Sequence, residues 1–215
     1  AQLDAPGLKV LHIQDIDYRS HCLTFRKCLE TFRDFSDANP GHLPIFISLN
    51  LKTSPIALPG STTPLPFDKA GYLNLHRDLE SALGLDNLVT PSEVQKDSRS
   101  LRERITTFGW PDLYELRGRF IFLIDEPLKK TAGYLEDFEK HERLLFLSVP
   151  SDHDQAAILV MNDPLKAFDD ITARVAKGFL VRTRADADTV EARSADDTRM
   201  RAAFASGAHF ISTDY

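Results

Sequence analysis

Residues 119–125 read RFIFLID, residues 143–149 read RLLFLSV and residues 157–162 read AILVMN. A strand with one face in water alternates apolar and polar side chains, whereas these runs are apolar at nearly every position. That pattern suits strands buried on both faces, as in a parallel sheet covered by helices. Four further stretches predict strands: 9–14 (KVLHIQ), 45–51 (IFISLNL), 179–184 (FLVRTR) and 209–214 (HFISTD). Between the strands, apolar spacing and Gly or Pro stops predict helices over 20–38, 70–83, 112–116, 165–176 and 188–205. Strand and helix in repeated order predict right-handed parallel crossovers and an α/β fold.

The chain has 215 residues, 42% of them hydrophobic, which is enough to bury a sizeable core. No linker or repeat interrupts it, so residues 1–215 are expected to form one domain. A formal net charge of -6 argues against a nucleic-acid partner. No apolar run approaches the roughly 18 residues that suggest a transmembrane helix. The length is short for an eight-stranded β/α barrel, which typically needs about 250 residues.

Cys22 and Cys28 fall within the helix expected over 20–38, where six residues of rise separate two Cα atoms by about 9 Å. A disulfide needs less than about 7 Å, so two reduced thiols are expected. His21, His42, His76, His141, His153 and His209 show no ligand spacing and are expected at the surface.

The chemistry-bearing residues gather at strand ends. His12 closes the first expected strand and runs into Gln14-Asp15-Ile16-Asp17. A histidine there can move a proton near neutral pH, and the carboxylates can fix its tautomer or hold a cation; Asp17 or Ser20 would serve equally as a helix cap. Asn50 and Lys52 share one side of the strand over 45–51. An amide oxygen suits a hard cation and an ammonium suits a phosphate. Arg182 and Arg184 share a strand face and suit a phosphate clamp, while Asp186 and Asp188 are expected to cap the helix after them. Asp125-Glu126 and Asp214 add carboxylates at two more strand ends. Residues 53–67 hold Pro55, Pro59, Pro64 and Pro66 and predict a long loop after a strand, where α/β barrels keep their sites. The sequence contains no GxGxxG, Walker A, GxSxG or HExxH motif.

Five stretches, taken in order, resemble the calcium-dependent, phosphoinositide-type phospholipase C family of bacteria and fungi. They are 9–29 (KVLHIQDIDYRSHCLTFRKCL), 34–52 (DFSDANPGHLPIFISLNLK), 108–125 (FGWPDLYELRGRFIFLID), 156–164 (AAILVMNDP) and 178–215, which begins GFLVRTRADAD. The resemblance implies a TIM-type (β/α)8 barrel of the phospholipase C-like phosphodiesterase kind. The family's opening strand carries a His-Asn motif and its second strand a Glu-x-Asp pair. Both would fall ahead of residue 1, so a barrel lacking its first one or two βα units is expected.

In that family two histidines act as general base and acid around Ca²⁺, and the substrate 2-hydroxyl attacks the phosphodiester. The resemblance therefore implies His12 as a catalytic residue, Asn50 and Asp15 as metal ligands, and Lys52, Arg182 and Asp125 as substrate contacts. Position 50 carries Glu in related enzymes, and Asn50 implies weaker calcium binding. The implied function is a phosphoric diester hydrolase of the phosphatidylinositol-specific phospholipase C type. Its implied partner is a phospholipid or inositol phosphate met at a membrane surface, and the implied location is secreted or periplasmic. A non-catalytic binder of anionic lipids or sugar phosphates, and a glycerophosphodiester phosphodiesterase, are the competing readings.

Overall fold

The computed structural model describes residues 6–214. In chain order the elements are α1 (Phe25–Ala38), β1 (Ile45–Leu49), α2 (Lys69–Ala82), α3 (Pro91–Gln95), α4 (Leu101–Phe108) and α5 (Leu113–Leu116). They continue with β2 (Phe120–Ile124), α6 (Leu128–Asp137), β3 (Phe146–Leu147), β4 (Ile158–Val160) and α7 (Phe168–Ala176). Last come β5 (Leu180–Arg184), α8 (Val190–Ser194), α9 (Thr198–Ala205) and β6 (Phe210–Ser212). The chain divides into two compact units, residues 1–90 with 112–145 and residues 91–111 with 146–215. Both are α/β with small parallel sheets.

In the first unit β1 and β2 pair in parallel, from Ile45 opposite Phe120 to Leu49 opposite Ile124. All five residues of β2 are buried, as its unbroken apolar run requires. Helix α1 starts where the Thr24 hydroxyl accepts the Lys27 N–H, and it buries Phe25, Cys28 and Leu29. Helix α2 starts on the Asp68 carboxylate, which accepts the Gly71 N–H at 3.0 Å, and buries Tyr72, Leu75, His76 and Leu79. Tyr72, Tyr134 and Phe138 join His76 in one aromatic cluster between α2 and α6. Edge and tilted ring contacts of this kind add to simple burial.

In the second unit β4, β5 and β6 form a parallel sheet in that order. Ile158 lies opposite Leu180, and Arg182 opposite Phe210. Helices α7 and α9 pack on β5. Gly178 enters β5 at φ +91°, and a Cβ there would lie 2.8 Å from the Ile105 carbonyl oxygen. Only glycine fits this approach.

Several expectations need correction. Residues 9–14 form no strand. A strand needs a continuous ladder, and here pairing stops at one antiparallel bridge, Lys9 to Thr24, with the Val10 N–H on the Leu23 carbonyl. Beyond it His12 and Ile13 donate to the Asp17 carbonyl, and Asp17 donates back to Ile13. Helix α1 begins at Phe25 rather than Ser20, which leaves Cys22 in the chain ahead of the cap. The Cα atoms of Cys22 and Cys28 are therefore 5.2 Å apart and the two are disulfide-bonded, not reduced thiols. The expected helix over 188–205 is two helices, broken where Ala195 turns to φ +55° and Asp196 accepts the Thr198 N–H. Helices α3, α4 and α6 were not expected. His76 is buried, not exposed.

Candidate active site

Residues 13–17 make a tight turn closed by the Ile13–Asp17 bridge, with Asp15 at its tip in the left-handed region (φ +66°). The turn returns the chain so that the Asp17 Oδ2 lies 2.8 Å from the His12 Nδ1. In the neutral ring, Nδ1 must carry the proton to donate to that carboxylate, which leaves Nε2 as an acceptor. The two side chains are 69% and 58% exposed, so the pair is open to a substrate. Asp15 accepts the Thr62 N–H at 2.7 Å and the Thr62 hydroxyl at 2.8 Å. Gln14 donates from Nε2 to the Ser54 carbonyl at 2.9 Å.

The parallel register brings the ends of β1 and β2 level. Asn50 donates through Nδ2 to the Asp125 carbonyl at 2.6 Å, and Asp125 N–H donates to the Leu49 carbonyl. The Ser48 hydroxyl lies 3.4 Å from the Asp125 carboxylate. One residue on, buried Glu126 accepts the Leu51 N–H at 2.8 Å and pairs with Lys130 at 3.0 Å. Asn50 and Lys52 are exposed on either side of buried Leu51. Beside them opens a cavity of about 310 Å³ lined by Leu51, Thr53, Pro64, Pro66, Phe67 and Lys130.

In the second unit Arg182 donates to the Asn162 amide oxygen and, at 2.7 Å, to the Ser212 hydroxyl. Arg184 pairs with Asp214 at 3.5 Å, and Asp214 also accepts the Asp188 N–H. Asp186 is buried and accepts the Asp214 N–H at 2.7 Å, so it ties two strand ends together rather than capping α8. The Ala187 N–H, followed by Arg199, holds the Glu191 carboxyl below the usual carboxylate range.

Asn50 and Asp125 therefore meet at one strand end, while Asp15 sits on the His12 turn and is engaged by Thr62. Among the described residues no group of three or more His, Cys, Asp or Glu is placed to hold a metal ion. Ca²⁺ takes six to eight oxygens, and Asn50 with Asp125 offers a fraction of that set. The residues described do not by themselves fit a calcium site. The sequence offers both Asp15 and Asp17 as carboxylates that could fix the His12 tautomer, and the tight turn gives that contact to Asp17 while Asp15 faces Thr62. The functional reading of the sequence missed Glu126 as the anchor of the β1 end, for which burial beside Pro127 was the only signal.

Burial lowers the His76 pKa to about 4, opposed by nearby Glu142. Its Nε2 lies 2.8 Å from the Tyr134 hydroxyl, which also accepts the Leu144 and Leu145 N–H groups. Tyr134 therefore donates its proton to His76, and burial pushes its own pKa up. This pair is packing, remote in chemistry from the exposed His12 turn.

A family model described as Ca²⁺-dependent phosphoinositide phospholipase C matches residues 1–215. Among solved structures, a Ca²⁺-dependent phosphatidylinositol-specific phospholipase C from Streptomyces antibioticus superposes with a TM-score of 0.69 at 19% identity. The match covers 98% of this chain and 81% of that one. A calcium-dependent phosphoinositol-specific phospholipase C from a Gram-negative Pseudomonas species gives 0.62 at 16% identity, over 88% of this chain and 64% of that one. At these identities the likeness is one of fold. No curated protein matches the chain.

Proposed function

The chain belongs to the Ca²⁺-dependent phosphoinositide phospholipase C family, and from that premise we propose that it serves as a phosphoric diester hydrolase acting on phosphatidylinositol-type lipids, on the (β/α)8 barrel form of the fold. The observation that carries this reading is the exposed His12 ring held through Nδ1 by Asp17. With Nδ1 engaged, Nε2 is the nitrogen that exchanges protons with substrate. As the inositol 2-hydroxyl attacks phosphorus, the His12 Nε2 takes up its proton, the bond to the glycerol oxygen breaks, and that proton passes on to the leaving diacylglycerol oxygen, so that the ring ends neutral as it began. Lys52, exposed past the end of β1, is the phosphate contact in the first unit, and Asp125 is a contact for ring hydroxyls. Within the second unit, Arg182 on β5 is an anion contact in its own right. No step is assigned to calcium, because the described donors do not fit it.

Two observations support the setting. Leu58 and Leu65, in the proline-rich loop, are 48% and 85% exposed, which suits contact with a lipid surface. The Cys22–Cys28 disulfide favours an oxidising, extracytoplasmic location. No helix among the described residues is long and apolar enough to cross a membrane.

Phosphatidylinositol vesicles, with phosphorus NMR of the products, test the reading. A cyclic inositol phosphate is expected, with turnover falling roughly 10²–10⁴-fold in His12→Ala. An open phosphomonoester formed from glycerophosphodiesters would instead identify the glycerophosphodiesterase reading. The neutral Asn50 favours a second reading, a head-group binder without turnover. Saturable vesicle binding with no product would establish it.

A further inference from the structure

The His12–Asp17 contact spans the base of a turn whose tip is gripped from outside. Asp15, at that tip, holds φ +66°, a conformation that L residues other than Gly adopt at some cost and that Asp and Asn tolerate best. Both of its carboxylate oxygens are engaged by one residue, Thr62, through the backbone N–H and the hydroxyl. Its neighbour Gln14 is buried and grips the same loop a second time at the Ser54 carbonyl. The two bonds reach 47 and 40 residues along the chain into residues 53–67.

That loop cannot order itself through a ladder, since Pro55, Pro59, Pro64 and Pro66 lack N–H donors. Its own backbone bonds are local, Leu58 to Ile56 and Ser61 to Leu58. The backbone pairing of the turn itself is likewise internal, between residues 12 and 17, and the outside backbone bonds of this segment end at Val10, which donates to the Leu23 carbonyl. Each segment therefore depends on the other for a fixed geometry.

We propose that Asp15 and Gln14 are positioning residues for His12, clamping its turn to the proline-rich loop at Thr62 and Ser54 and so fixing the geometry in which Asp17 meets the ring. Their catalytic consequence rests on His12 being the proton-transfer group, whereas the clamp itself can be read without turnover. Asp15→Asn keeps the backbone preference for positive φ but sets an NH₂ where a carboxylate oxygen accepts from Thr62. Thr62→Val removes only the hydroxyl and leaves the turn's own sequence intact, and Thr62→Ser restores it.

Two readouts apply to the chain as it stands: ring ¹⁵N shifts of His12 near pH 8, and amide exchange of Ile13 and Asp17. In Asp15→Asn and Thr62→Val the ring is expected to shift from the Nδ1–H tautomer toward Nε2–H. The two amides are expected to exchange about tenfold faster, with Thr62→Ser close to wild type. On vesicle substrate kcat should fall by a similar factor with KM unchanged. Unchanged ring shifts and exchange in folded Asp15→Asn and Thr62→Val overturn the proposal; if Asp15→Asn does not fold, Thr62→Val decides alone. Altered shifts and exchange with no wild-type turnover uphold the clamp and overturn the hydrolase reading.

Discussion

Glu126 holds the end of β1 from the end of β2: its Oε1 accepts the Leu51 N–H at 2.8 Å although the two residues are 75 apart in sequence. The carboxylate is buried, and its other oxygen carries the Lys130 ammonium at 3.0 Å. Glu126→Ala would leave a buried N–H without a partner, an omission that costs about 1–3 kcal/mol. Glu126→Gln keeps an acceptor for Leu51 and gives up the charge on Lys130, so it is expected to lose less than half as much. Urea unfolding of the two variants checks this. Equal losses would mean that the ion pair, and not the Leu51 bond, is the anchor.

Asp17 touches the His12 ring and no other functional side chain in the turn. Asp17→Asn preserves size and a hydrogen-bonding oxygen, but it no longer selects the Nδ1–H tautomer through charge. Turnover should fall roughly 10-fold or more, by less than in His12→Ala, because the imidazole remains. The double variant should be no worse than His12→Ala. An additive double loss would show that Asp17 acts independently of His12.

His76 makes stability depend on pH in a defined window. Its folded-state pKa is lowered from 6.5 to about 4, so below 6.5 the unfolded chain takes up a proton that the folded chain refuses. Stability from this group is level above about pH 6.5, declines as pH falls toward 4, and levels off again below it. His76→Gln, which keeps an acceptor for the Tyr134 hydroxyl, should remove close to one proton's worth of slope between pH 6.5 and 4. Denaturation midpoints at half-unit pH steps measure that slope. A slope unchanged by the substitution would assign the acid sensitivity elsewhere.

The Cys22–Cys28 bridge closes a short loop, and on the chain-entropy account a loop of that size adds about 2 kcal/mol. Urea unfolding with and without reductant should differ by that amount, and Cys28→Ser should match the reduced protein. Intact mass without reductant should show both thiols absent. Two free thiols in the folded protein would remove the bridge and the location argument together.

The strand bodies were legible because burial on both faces writes itself into composition: FIFLI is β2, and each of the later apolar runs contains a strand. The segment 9–14 shares only part of that composition, with Lys9, His12 and Gln14 among Val10, Leu11 and Ile13, and local sequence does not encode that its pairing ends at the single Lys9–Thr24 bridge. The disulfide was misread through one boundary. Placing the helix start at Ser20 rather than at the Thr24 cap put Cys22 on a helix it precedes. At the site, His12, Asn50 and Lys52 were visible as polar residues following apolar runs. Thr62 and Ser54 were not, since nothing in a proline-rich loop announces which residues grip a turn some 40 positions away. His76 could have been found, because it recurs with Tyr72 and Leu79 at spacings of four and three on the face that α2 buries.

The parallel pairing of β1 with β2 separates two kinds of heredity within one ribbon of chain. The strand bodies are bound to each other by register and close packing, so changes there must be accommodated jointly. Asn50 and Asp125 sit one residue past the strand bodies and Lys52 three, where a new side chain changes the polar groups at the strand ends and asks little of the core. The two demands are thus met by separate residues: the register holds the scaffold, and the groups just past it can change without disturbing the pairing.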